Sequence, residues 1–240
     1  VSDVPPPYTP PPPPPPPPRV PGSSYDVLRP FTYVFDDPNW VPKILIGGLF
    51  ILASIVLIGI FFVLGYVARL TRNVIAEVAV PLPEWDDIGD FFAEGVRLFL
   101  IGVVYCLPIL GLCFFFMIPM VISGNAHSEA IRAIATGVGM MFWCLMMPIS
   151  LALAVWLPAA LLMAVVRQDF GAAFEFGRIA QFIRANIANY LIAVVIYFVA
   201  RFAAGAGIIL CVIGVIFTGF WSALVAAYAF GQVYRLSSVK

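Results

Sequence analysis

Charge is scarce in this chain and histidine nearly absent. Of 240 residues, 11% are charged and one is histidine. A soluble domain carries roughly 25% charged residues to keep its surface wet, so most of this surface must face something other than water. One histidine excludes a bis-histidine haem and a histidine-rich metal site. Lysine plus arginine equal aspartate plus glutamate at 13 each, and a net charge of zero argues against a nucleic-acid partner. Cys106, Cys113, Cys144 and Cys211 form no C-x-x-C pair and lie in apolar stretches, so they read as small packing residues. Val1 opens a polar tail with no basic and then apolar leader. The first apolar segment is therefore expected to direct insertion.

What is present is apolar: 62% of residues are hydrophobic and the mean hydropathy is +1.00. Ile44 to Ala68 and Leu98 to Ile122 are uncharged, and each exceeds the roughly 20 residues needed to cross a bilayer core. Ala133 to Val166 is also uncharged, and as one helix would run about 51 Å at 1.5 Å per residue. It reads as one tilted span with an extension, bent near Pro148 or Pro158. Ile187 to Ala204, carrying Arg201, and Ile208 to Tyr234 complete the set. The expected fold is all-α: a polytopic transmembrane helix bundle of about five spans over residues 38–240. Two interfacial amphipathic helices and a proline-rich N-terminal tail, residues 1–37, accompany it.

With five spans the tail and the C-terminus fall on opposite sides. Arg69, Arg72, Arg97, Arg167, Arg178, Arg184, Arg235 and Lys240 then share one side, and Arg19, Arg29, Lys43, Arg132 and Arg201 the other. The excess of cations marks the first side as cytoplasmic and puts the tail outside.

The tail holds consecutive prolines from Pro10 to Pro18. Proline fixes φ and donates no hydrogen bond, so the run is expected to be a polyproline II rod of about 28 Å. It reads as a stiff spacer, with Pro10, Pro14 and Pro18 as candidate partner contacts. Pro5-Pro6-Pro7-Tyr8 also matches the pattern that WW domains bind.

Two inter-span segments echo each other as D-x-G-x-x-F-x-x-G: Asp87 to Gly95, and Asp169 to Gly177. A second echo joins Gly65 to Thr71 with Gly231 to Ser237. Chance and a degenerate parallel repeat both explain them. In the first segment Trp85, Ile88, Phe92 and Val96 fall near one helical face, opposite Asp86, Asp90 and Glu94. In the second, Phe176, Ile179, Phe182 and Ile183 oppose Glu175, Arg178 and Gln181. Both are expected to lie in the membrane interface, or else to dock a partner through Trp85, Asp87, Phe92, Phe174 and Arg178.

Phe31 to Trp40 with Lys43 to Gly48, then Gly65-Tyr66 with Arg69 and Arg72, then Leu82-Pro83-Glu84-Trp85-Asp86-Asp87-Ile88-Gly89-Asp90-Phe91-Phe92 together resemble a prokaryotic membrane family, domain of unknown function 4013. The resemblance runs from Phe31 to about Tyr234. It implies a multi-pass protein of the bacterial or archaeal cytoplasmic (inner) membrane, and it brings no catalytic residues.

Groups for catalysis are missing. His127 fits a solvated loop histidine, with a single metal or chlorophyll ligand as the open alternative. A nucleophile needs an adjacent base, and the hydroxyls and thiols lie mostly at membrane depth. Glu84, Asp86, Asp87, Asp90 and Glu94 could offer oxygens to a hard cation, but they lack a calcium-loop frame. Acidic residues in a first helical turn are the simpler account. No Asp, Glu or Lys lies inside the expected spans, which argues against coupled transport. The expectation is a non-enzymatic accessory or scaffold subunit with no cofactor and no metal, surrounded by the lipid bilayer and other membrane subunits. The alternative is a passive transporter or lipid-handling protein.

Overall fold

A computed structural model describes residues 25–124, 128–207 and 211–238. The described residues are all-helical, without strands, and five helices are long and apolar enough to cross a membrane. Pro10, Pro14, Pro18, the Pro5–Tyr8 motif and His127 lie outside the described residues.

Asp26 starts the fold by accepting bonds from the backbone N–H groups of Leu28 and Arg29, both at 3.1 Å. That caps α1 (Arg29–Thr32), which carries proline near its start, where no N–H partner is needed. A 3₁₀ turn, Tyr33–Asp36, follows. Tyr33 and Val34 are buried, and the Tyr33 hydroxyl donates to the Leu224 carbonyl at 3.1 Å. Tyr25, Tyr33 and Val34, from the stretch expected as tail, therefore pack on the bundle.

The first apolar stretch is two helices, where one span from Ile44 to Ala68 was expected. α2 (Trp40–Ala53) ends in a 3₁₀ turn, Ser54–Val56, and Leu57 adopts φ 65° before α3 (Ile58–Ile75) begins. The helices double back on each other. Phe50 stacks on Phe62, and a Cβ at Gly59 would collide with the Phe50 carbonyl. No proline or charge marks this turn; Gly59, which lets the backbones touch, is its one sequence trace.

The 112° bend between the Arg29–Asp36 and Trp40–Val56 segments allows a sixth crossing when the two count as one span. An even number of crossings brings the chain back to its starting end. Tyr25 donates to the Ala229 carbonyl in α8, and Tyr33 stacks on Tyr228 of the same helix. The segment entering α1 and the C-terminal half of α8 thus lie at the same end of the described bundle.

The remaining elements are α4 (Ile88–Gly124), α5 (Glu129–Arg167), a 3₁₀ turn at Gly171–Phe174, α6 (Phe176–Ala185), α7 (Ile187–Gly205) and α8 (Cys211–Leu236). The third apolar stretch is one helix, as expected, with Pro148 and Pro158 inside it. The two echoes differ in structure. The first runs without a break into α4. The second forms the 3₁₀ turn Gly171–Phe174 and opens the separate α6, which ends where Asn186 donates to the Phe182 carbonyl at 2.9 Å and to Ser237 Oγ at 2.8 Å.

The packing faces follow close backbone contact. In α4, Phe91, Gly95, Leu98 and Ile101 are buried along one helical stripe, while Ile88 and Phe92 of the face expected to meet the membrane interface or a partner are exposed. Gly65 and Gly95 cause this: each lies against a backbone carbonyl of the other helix, those of Phe91 and Phe61. In α6, Ile179 and Phe182 are fully buried in the bundle, so protein rather than lipid covers the centre of its apolar face.

Candidate functional site

Two places concentrate unusual residues: a polar and aromatic cap at the end shared by Tyr25 and α8, and an apolar cavity between helices.

The cap joins all three stretches that carried the family resemblance. Lys43, 4% exposed at the start of α2, donates to Asp37 Oδ2 at 2.7 Å and to the Leu82 carbonyl at 3.2 Å. It also pairs with Glu84 at 2.6 Å. One ammonium thus holds three groups on two chain segments. A buried cation survives when carboxylates and carbonyls replace its water, and here they do. Trp85 donates from Nε1 to the Lys43 carbonyl at 3.2 Å and stacks on Tyr66 at 4.2 Å between ring centres. The Tyr66 hydroxyl donates to the Pro83 carbonyl at 2.9 Å. Phe220 of α8 completes the aromatic group. Beside it, burial raises the Tyr25 phenol above its usual range and keeps it a donor.

A polar groove of about 460 Å³ borders the cap. Arg69 pairs with Asp87 at 2.7 Å and lies over the Phe91 ring. Arg72 grips Glu94 through both guanidinium nitrogens. Arg97 donates to the Gln168 carbonyl at 2.8 Å. Each arginine here has a partner, so the groove reads as a clamp on helix ends.

The cavity has the opposite character. It measures about 410 Å³ and lies among α3, α5, α7 and α8, with Ile51 of α2 and Leu98 of α4 at its edges. Along α3 its wall runs from Ile60 to Thr71, about 16 Å of helix. The facing wall on α8 is built from small residues: Gly219, Ala223, Ala226 and Ala227. A Cβ on Gly219 would meet nothing within 4 Å. Among the lining residues Arg201 alone is charged, and it makes no ion pair with a described carboxylate.

The sequence-selected residues divide between two clusters. Trp85 is half-buried in the cap, Asp87 is exposed and paired with Arg69, and Phe92 packs edge-on against Phe61. Phe174 stacks on Tyr105 at 5.4 Å, and Arg178 pairs with Glu175 at 2.6 Å. The Arg97–Gln168 bond links the neighbourhoods of the two echoes. Asn186 and Thr218 are held in structural bonds; Thr218 donates to the Ala204 carbonyl at 2.9 Å, tying α7 to α8. Sequence reasoning missed the Lys43 node, the Gly65 and Gly95 contacts and the cavity. The signals were present in a lone lysine entering an apolar run and in small residues repeating along α8.

Residues 48–230 match the family described as Protein of unknown function (DUF4013). That range contains the second and third stretches and begins at the last residue of the first. No curated protein and no solved structure matches the chain.

Proposed function

The chain belongs to the DUF4013 family of membrane proteins, and from that premise we propose that it is a non-enzymatic accessory or scaffold subunit of a larger complex in a prokaryotic cytoplasmic membrane. The observation that carries this reading is the length of α5. Its uncharged part, Ala133 to Val166, lies in one continuous helix. Its length of about 51 Å compares with a core of about 30 Å, and a tilt of about 40° accommodates only about 39 Å. The surplus, about eight residues, needs an apolar cover other than lipid. The far half of the α4–α5 pair offers a surface for one: Phe114, Met140, Trp143 and Met147 are all exposed, Trp143 by 74% and Met147 by 77%. Methionine and aromatic residues are the types enriched at protein interfaces.

Photo-crosslinking in intact membranes tests this. A photoreactive residue replacing Trp143 should capture a polypeptide, while the same residue at Phe202, an exposed position on α7, should capture lipid alone. Lipid capture from both positions, with a lone monomer after mild-detergent purification, would sink the scaffold reading.

The shared end of the bundle supports a revised orientation. Arg29, Lys43, Arg69, Arg72, Arg97, Arg167, Arg178, Arg184 and Arg235 cluster there, whereas Arg132 and Arg201 lie toward the other end. The positive-inside rule favours that end, and the tail with it, on the cytoplasmic side. Single cysteines at Asp26 and Ser238 in a cysteine-free chain should label from the same side, and one at Ser128 from the other. Opposite labelling of Asp26 and Ser238 would restore the odd-span topology.

Lipid handling is the second reading, favoured by the apolar cavity.

A further inference from the structure

We propose that the cavity among α3, α5, α7 and α8 is a phospholipid site, in which one acyl chain lies along the small-residue wall of α8 and the headgroup phosphate meets Arg201. The proposal deepens the lipid-handling reading and is independent of what covers the α4–α5 arm.

Shape comes first. A volume of about 410 Å³ lies within the range of roughly 300–1,000 Å³ typical of ligand sites. The space follows about 16 Å of α3, so it is a slot rather than a round pocket. Its wall is apolar along Val63, Leu64 and Val67 on α3 and Ala223 and Ala226 on α8. Apart from the hydroxyls of Thr71 and Tyr197 and the Arg201 guanidinium, the lining side chains offer no hydrogen bonds, and a flexible hydrocarbon chain needs none.

Charge then fixes the orientation of the chain. Arg201 lines the cavity beside Gly219, near the α7–α8 connection, while Thr71 and Phe230 mark the other end. The Arg201 side chain is exposed four residues before the end of α7, where a lipid phosphate at headgroup level can meet it. No described carboxylate reaches Arg201. Its planar fork matches phosphate oxygens with two parallel bonds. A slot that is mostly apolar and cationic at one end fits an amphiphile with an anionic head. The neighbouring groove with Arg69, Arg72 and Arg97 lacks this character, because its cations already have protein partners.

Both halves of the slot can be altered separately. Gly219→Leu places a side chain in open space, because a Cβ there meets no neighbour, so it fills the slot without displacing a helix. Arg201→Gln removes the charge and leaves the slot open, and Arg201→Lys restores a cation.

The full chain, delipidated in mild detergent, is titrated with phosphatidylglycerol, phosphatidylcholine, palmitate or inorganic phosphate, and bound species are read by native mass spectrometry. The expected result is one phosphatidylglycerol per chain, with weaker retention of palmitate and none of phosphate. Gly219→Leu should abolish retention while unchanged helical circular dichroism reports an intact fold. Arg201→Gln should weaken phosphatidylglycerol by about tenfold, the size of one lost charged hydrogen bond, and erase its advantage over phosphatidylcholine. Arg201→Lys should recover most of that advantage. Phosphatidylglycerol bound equally by the native chain, Gly219→Leu and Arg201→Gln would overturn this site while leaving lipid binding elsewhere intact. Palmitate held more tightly than phosphatidylglycerol would overturn the phospholipid assignment. Retention of no lipid by the native chain would overturn both the site and the lipid-handling reading.

Discussion

The cap and the far half of the α4–α5 arm both carry large aromatic residues, yet one is closed and the other open. In the cap, Trp85 and Tyr66 stack between α2, α3 and α8, and the Lys43 ammonium is enclosed by Asp37, Glu84 and a backbone carbonyl. In the arm, Trp143 and Phe114 stand outward, with no second layer of protein over them. Apolar side chains have no reason to prefer protein to lipid, because both are equally free of water. Polar anchors decide which aromatic residues become core. Where a buried ion pair and backbone carbonyls fix helix ends, rings pack between them; where no such anchor exists, the rings remain available to the surroundings.

That contrast breaks most readily at Lys43. Lys43→Met leaves the Asp37 carboxylate buried without its partner, and should lower stability in detergent unfolding by about 3–5 kcal/mol. Adding Asp37→Asn should recover most of the loss. A Lys43→Met chain that unfolds like the native one would remove the cap's claim to anchor the fold.

The next largest effect belongs to Gly65→Ala, which drives a methyl group into the Phe91 backbone. Backbone cannot swing aside as a side chain can, so α3 and α4 must separate, at about 1–3 kcal/mol by overpacking. The same measurement reads this change. The smallest effect is expected in the arm: Trp143→Ala should change stability by no more than about 0.5 kcal/mol, as at other exposed sites. An arm variant as damaging as the Gly65 variant would erase the distinction between the two regions.

Much of the helix pattern was legible because an uncharged run reports membrane compatibility directly. Ala133 to Val166 fell within one helix, and the stretches beginning near Ile187 and Ile208 matched α7 and α8 closely. Ile44 to Ala68 failed for a physical reason. Hydropathy measures solvent preference and carries no information on direction, so a tight hairpin and a straight span read alike. The turn at Leu57 takes a left-handed conformation without glycine, which hides it further. At the site, Trp85 and Asp87 were singled out from sequence and lie in the cap and at its border, whereas the face by which α4 packs on α3 was not legible. Close contact at Gly65 and Gly95 outweighed the larger side chains of Ile88 and Phe92, because helices approach where side chains are absent. Lys43 escaped notice since its partners lie six residues away at Asp37 and some forty away at Leu82 and Glu84.

The bond from Tyr25 to Ala229 joins residues 204 positions apart, and Tyr33 reaches Leu224 across 191. During synthesis the segment around α1 therefore emerges long before the helix that receives it. Until α8 is inserted, Tyr33 has neither its carbonyl acceptor nor the Tyr228 ring, and the lower half of the cap lacks Phe220. Closure of the cap is thus a late event in biogenesis, and it marks the moment when the last helix has taken its place. A chain stalled before α8 would display an unsatisfied tyrosine-rich segment at the membrane surface, the kind of local disorder by which proteases distinguish unfinished membrane proteins from finished ones.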